Sequence, residues 1–338
     1  MAMANANPVI AEVTRGSRTE SIHRGAFVVV DDAGRVVLAS GDVETPVFAR
    51  SALKLMQALP LIESGAADAL DLQGTELAIA CASHSSSPAH VATVQNMLAK
   101  ASLDDEALQC GAHWPVFKLG DAVHMALEGG QPIRAHNNCS GKHAGYLCAS
   151  AHIGLPTGSY IDAVHPLQRE IRALIGDLSG FELEDDVCGG DGCSAPTFAL
   201  PLLNFAQAMS KLMAGREVGP LRAAAARRLV KASVAHPFYV AGKHRFCTKI
   251  MEAGKGMIYA KTGAEGVYLG MLPELGLTIT LKCDDGGTRA SEVLLAALIA
   301  RLLPPNDGLA RTVGVMAQQA VEDWNGNIVG AVRAILPD

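Results

Sequence analysis

The chain opens on apolar residues spaced for strands. Val9–Arg15 and residues 26–31 are rich in Val and Ile, and Asp31-Asp32-Ala33-Gly34 supplies a turn before Arg35-Val36-Val37-Leu38-Ala39, which predicts a β-hairpin. After Pro46 the pattern changes. Residues 51–59 (Ser-Ala-Leu-Lys-Leu-Met-Gln-Ala-Leu) hold no β-branched side chain and predict a buried helix. Residues 87–101, 160–175 and 221–234 also suit helices, and the apolar run 77–80 reads as strand. Strands return at 257–260 and 267–270. Leu277–Cys283 then alternates apolar and polar positions, as a sheet with one wet face requires, and 292–303 closes as an apolar helix. Strands at both ends with helices between them predict an α+β sandwich in one domain over 1–338, its two ends sharing one mainly antiparallel sheet. The competing arrangement is two separate small domains.

Composition narrows the setting. Of 338 residues 49% are hydrophobic and 18% charged, so the chain is built to bury a large core. Aromatics supply only 4%, which leaves that core to Ala, Val, Leu and Ile. A net charge of -6 offers no basic field for nucleic acid or anionic lipid. The start of the chain, Met1-Ala2-Met3-Ala4-Asn5-Ala6-Asn7-Pro8, has neither a basic nor an apolar leader segment, and no apolar run reads as a membrane span. The expected location is the cytoplasm, where the eight cysteines would be thiols or ligands rather than bridges.

Three blocks carry candidate chemistry. Ser51 and Lys54 form an S-x-x-K pair on one helical face, where a lysine of lowered pKa could take the serine proton. Lys261-Thr262-Gly263 lies between two predicted strands, the order and setting of serine β-lactamases and penicillin-binding enzymes. Such a site needs a further polar group between the lysines. Ser83, at the end of the run 77–80, is the first choice; Ser85, Ser86 and Ser87 compete, although Ser87 before Pro88 suits a helix cap. The third block pairs Asn137-Asn138-Cys139-Ser140-Gly141-Lys142-His143 with Cys188-Gly189-Gly190-Asp191-Gly192-Cys193, read as two Gly-rich loops. By spacing alone Cys139, His143, Cys188 and Cys193 would be chosen as tetrahedral metal ligands, against the simpler reading of small buried thiols in tight turns.

Taken together, Ala49-Arg50-Ser51-Ala52-Leu53-Lys54, Ala82-Ser83-His84-Ser85, His136 through Gly145, Asp191-Gly192-Cys193-Ser194-Ala195-Pro196 and Ala260-Lys261-Thr262-Gly263 resemble the class 3, rhizobial-type L-asparaginases. The resemblance implies a β-lactamase-like fold, a homodimer, and hydrolysis of L-asparagine to L-aspartate and ammonia through the pairs Ser51 with Lys54 and Ser83 with Lys261. It also implies a zinc site at Cys139, Lys142 and Cys193, with Arg50, His143 and Asp191 left for the substrate. Cys247 stands where that family's pattern has Asp, and Thr262 where many members have Gly; both departures bear on metal dependence or substrate affinity. The alternative activities are a β-lactamase or D-Ala-D-Ala peptidase, an amidase acting on a different amide, or a non-catalytic binder of a small amide or metal.

Overall fold

In the computed structural model, which describes residues 6–117, 119–304 and 307–337, strands from both ends of the chain meet in one antiparallel sheet. Positions 1–5, part of the start read as leaderless, lie outside the described residues. The early strands are β1 (Val9–Arg15), β2 (Arg18–Val30) and β3 (Val36–Ser40), followed by the short β4 (Val47–Phe48). Mid-chain come β5 (Cys188–Gly190) and β6 (Pro196–Leu200). The last are β7 (Tyr259–Thr262), β8 (Val267–Leu272), β9 (Leu277–Cys283), β10 (Gln318–Glu322) and β11 (Ile328–Ala334). The large sheet runs β10-β11-β1-β2-β9-β8-β7 with β3 on β2, and β4-β6-β5 form a second, small sheet. The α+β layering expected from the sequence is the one observed.

Side-chain alternation on β2 explains why helices cover both faces of this sheet. Phe27 and Val29 point into the main core, whereas Ala26, Val28 and Val30 pack with Leu202 and Ala206 of the helix Leu202–Ala214. The helix Thr288–Leu302 packs against β1, β8, β9 and β11. Each large apolar side chain so buried contributes about 1.5–3 kcal/mol before entropy is counted. The wet face expected for β9 does not exist. Thr278 and Thr280 are buried, and Thr280 Oγ1 donates to Leu202 O (2.8 Å), so the hydroxyl is satisfied by the helix that covers it.

Three local expectations also change. Residues 77–80 belong to the helix Gly74–Ala80, whose start is fixed by Gln73 N–H donating to Glu76 Oε2 (2.6 Å); an apolar run this short has no period that separates helix from strand. The helix expected from 160 begins at Pro166, after His165 Nδ1 accepts from Leu167 N–H (3.2 Å). Finally, Ser140–His152 is a buried helix rather than a loop. Its Gly141 is required by packing, because a Cβ there would stand 2.2 Å from Ile79 O. Among the described residues no helix is long and apolar enough to cross a membrane.

Candidate active site

The S-x-x-K segment is a 3₁₀ turn, Arg50–Leu53, running straight into the short helix Lys54–Gln57. Arg50 opens it in the left-handed region (φ 50°), a costly conformation for a residue with a Cβ. Spacing predicts Lys54 against Ser51, but the amine goes elsewhere. Fully buried, Lys54 Nζ donates to Ala82 O and to Ser83 Oγ (3.1 Å) and lies 3.0 Å from Cys139 Sγ, since a buried ammonium needs acceptors around it. The half-buried Ser51 has no side-chain hydrogen-bond partner among the described residues. Lys261 arrives from β7, the edge strand, and Nζ donates to Ser83 Oγ (2.9 Å) and Thr262 O (2.8 Å). Two amines therefore flank the Ser83 hydroxyl. Gly263 lets β7 come this close, because a Cβ there would lie 2.5 Å from Ala49 O in the turn that carries Ser51.

The competing serines are committed to other partners. Ser85 Oγ donates to Ala241 O (2.7 Å), Ser86 Oγ to His136 O (2.5 Å), and Ser87 is the N-cap of the helix Pro88–Lys100. Ser83 itself is held by its N–H on Val240 O (2.9 Å) and by Arg245 Nη1 on its carbonyl (3.4 Å). Arg245 went unrecognised in the sequence, although it sits two residues before the departing Cys247. Burial, and then the charge of Lys54, pulls Lys261 down to about 7. Cys247, on the helix Phe246–Gly254, is buried beside Lys261 and Tyr268, its Sγ 3.8 Å from the Tyr268 hydroxyl. The Cys247 departure therefore bears on the charge of Lys261.

A second buried cluster adjoins the first through Cys139. The Cys139 thiol donates to Cys193, and this bond, ahead of the Lys142 charge, holds Cys193 at about 5 against burial. Lys142 Nζ lies 3.2 Å from Cys193 Sγ. Burial alone would lower Lys142, but Cys193, Tyr146, Cys139 and Asp191 outweigh it and carry the ammonium well above the usual lysine range. Two thiols and an amine converging in a buried pocket are a donor set that fits zinc. The tetrad suggested by spacing is not assembled: Cys188 Sγ donates to Glu184 O (3.1 Å), and His143 Nδ1 is engaged by the Tyr160 hydroxyl (2.7 Å). The helix Ser140–His152, missed in the sequence, explains this, since it fixes Lys142 and His143 on one turn rather than in a pliable loop.

The three candidate substrate residues line the same region. Arg50 Nη2 and Nε grip Asp191 Oδ1 at 2.7 and 2.9 Å. Burial would raise Asp191, but Lys142, Arg50 and Lys54 outweigh it and keep the carboxylate ionised. Tyr160 decides the state of His143. Its oxygen accepts from Gln109 N–H (2.8 Å), so its hydroxyl proton is free to go to His143 Nδ1, which leaves the proton of the neutral ring on Nε2. That Nε2 is buried and has no partner among the described residues. Nothing in the sequence pointed to Tyr160, because its role depends on a contact across 17 positions.

The L-asparaginase II family pattern matches residues 11–334, so the chain belongs to the L-asparaginase II family, and that membership makes it an amidohydrolase. A comparison with curated proteins finds no match. Among solved structures the chain is similar to a beta-lactamase from Mycobacterium bovis (12% identity, 82% of this chain and 94% of that one, TM-score 0.43). It is also similar to an octameric penicillin-binding protein homologue from Pyrococcus abyssi (14% identity, 81% and 73%, TM-score 0.41). These scores add no argument to the family match.

Proposed function

We propose that the protein hydrolyses L-asparagine to L-aspartate and ammonia by serine-lysine catalysis. The observation that carries this reading is the Ser83 hydroxyl between Lys261 Nζ (2.9 Å) and Lys54 Nζ (3.1 Å), with Lys261 lowered to about 7 so that the neutral amine is populated at neutral pH. Neutral Lys261 takes the Ser83 proton as Oγ attacks the side-chain carboxamide carbon. The tetrahedral adduct collapses by breaking the C–N bond, and ammonia leaves with the proton returned from Lys261. Water then adds to the β-aspartyl ester, Lys261 takes its proton, and aspartate is freed as the proton returns to Ser83. The Lys54 ammonium biases Lys261 toward its neutral form by like-charge repulsion.

Arg50 would hold the α-carboxylate, Asp191 the α-ammonium, and His143 Nε2–H a substrate oxygen. Cys139, Lys142 and Cys193 would hold zinc, Lys142 as the neutral amine. When bound, the ion supplies a Lewis-acid charge and ties the helix start at Cys139 to the Cys193 turn. Catalysis is assigned to the Ser-Lys groups, which already provide a nucleophile and a base.

A second reading exchanges the serines, with Ser51 acylated and Ser83 relaying its proton. It is favoured by one observation: Ser51 is half-buried, whereas Ser83 is 4% exposed. The activity is tested by ammonia release from L-asparagine and L-glutamine beside turnover of a chromogenic β-lactam. Asparagine is expected to be hydrolysed and the β-lactam left intact; β-lactam turnover without ammonia release from asparagine would sink the reading. Mass spectrometry of a trapped acyl adduct then decides which serine is modified.

A further inference from the structure

We infer that a second divalent-cation site, separate from the cluster at Cys139, Lys142 and Cys193, lies at the end of β9 and is built from His23, Cys283 and Asp285. One donor atom from each residue lies within 4.8 Å of the others, the one such group of three among the described residues. Asp285 joins them: Cys283 Sγ donates to Asp285 Oδ1 (2.9 Å), and His23 Nδ1 lies 2.6 Å from Asp285 Oδ2. His23 and Cys283 are buried on neighbouring strands, where Gly25 of β2 pairs with Cys283 of β9, while Asp285 is exposed and gives a way in. Gly287 N–H orients the carboxylate through Asp285 Oδ1 (2.9 Å). The same glycine keeps the space open, because a Cβ at 287 would stand 2.9 Å from both Asp285 Oδ1 and His23 Nδ1.

The donor set names the ion. A thiolate, an imidazole and a carboxylate are poor ligands for magnesium or calcium and suit zinc and its analogue cobalt(II). Metal–donor bonds of roughly 2.0–2.3 Å set tetrahedral donors about 3.3–3.8 Å apart, so the Asp285 contacts to His23 and Cys283 must open for the ion to enter between them. The cation displaces the Cys283 thiol proton to solvent, and the His23 proton passes from Nδ1 to Nε2 by exchange with water. Arg289 opposes that step. Its Nε donates to His23 Nε2 (3.0 Å) and its Nη2 to Ser21 Oγ (3.3 Å), so it stabilises the tautomer that keeps Nδ1 protonated. The guanidinium must leave His23 for the ion to bind. Occupancy would also brace the active-site hairpin, since Cys283 N–H donates to Gly266 O (3.0 Å) in the turn that follows Lys261-Thr262-Gly263.

The test is a Co²⁺ titration of chelator-stripped, full-length protein carrying Cys139→Ser and Cys193→Ser, which removes the other thiol pair. One cobalt per chain is expected, with thiolate-to-cobalt charge-transfer absorption. That band should vanish in Cys283→Ser, Asp285→Asn should weaken binding at least tenfold, and Arg289→Gln should tighten it about tenfold. Absence of the band in the double-serine protein, or its survival in Cys283→Ser, overturns the site. Should the serine variants not fold, the wild-type chain decides: Asp285→Asn must hold one of its cobalt ions at least tenfold more weakly than wild type does, and unchanged affinity for every ion overturns the proposal.

Discussion

Lys261 and Lys142 are equally buried, at 1% exposure each, yet their surroundings drive them in opposite directions. Lys261 meets a second ammonium and two neutral oxygens, and burial with the Lys54 charge lowers it to about 7. Lys142 suffers the same burial, but faces the Cys193 thiolate and lies near Asp191, and is carried well above its ordinary value. Burial sets the size of the problem and the neighbouring charges set its answer. On the proposed mechanism two lysines of one region divide the work: one would exchange protons with Ser83, and the other, an ion-pair partner here, would become a metal ligand only when a cation takes its proton's place.

The largest effect that would break this comparison is loss of the hydroxyl between the amines. Ser83→Ala is expected to lower kcat at least 10³-fold with little change in KM, as removal of a nucleophile does elsewhere. Ser51→Ala should cost less. Steady-state ammonia release for both variants checks this; near-normal turnover by Ser83→Ala with Ser51→Ala inactive would transfer the nucleophile to Ser51.

A smaller effect is expected on the thiol side. Cys193→Ser removes the thiolate that holds Lys142 charged and one of the proposed zinc ligands. KM should rise roughly 10- to 100-fold, zinc content should fall, and the melting temperature should drop, while kcat changes less. The reverse split, kcat down 10³-fold at constant KM, would move the chemistry from the serines to metal-activated water.

The parts legible from the sequence were those with local signals. The Val- and Ile-rich runs, the turn after the second of them and the alternation at 277–283 mark β1, β3, β8 and β9 nearly to the residue, whereas Lys261 and Thr262, expected just beyond a strand, belong to β7 itself. What escaped depends on contacts between distant segments. The helix Ser140–His152 carries small residues and glycines on a buried surface, so no amphipathic stripe marks it. Spacing pairs Lys54 with Ser51 because it sees only three residues along the chain, whereas the acceptors of Lys54 at Ala82, Ser83 and Cys139 lie 28 to 85 positions away. The buried threonines of β9 read as a solvent face until the helix Leu202–Ala214 supplies an acceptor. Polar residues identify a wet surface only where no neighbour satisfies them.

The finest effect expected is a shift in pH dependence, and it tests whether Lys261 is the base. With its ammonium lowered to about 7, the neutral amine increases as pH rises through that value. The rate should therefore climb on the acid side and level off above it, with kcat/KM reporting the group in the free enzyme. Cys247 offers a way to move that limb without touching Ser83, Lys54 or Lys261. It is buried within Coulombic range of Lys261, in the helix packed on β7. Cys247→Asp places a carboxylate there, and an anion favours the ammonium, so the acid limb should move up by about one unit and activity at neutral pH should fall about fivefold. Cys247→Asn, similar in size but neutral, is the control and should leave the limb in place. If Cys247→Asp titrates like Cys247→Asn in a variant shown by its own carboxylate signal to be ionised, the group controlling the rate is not Lys261.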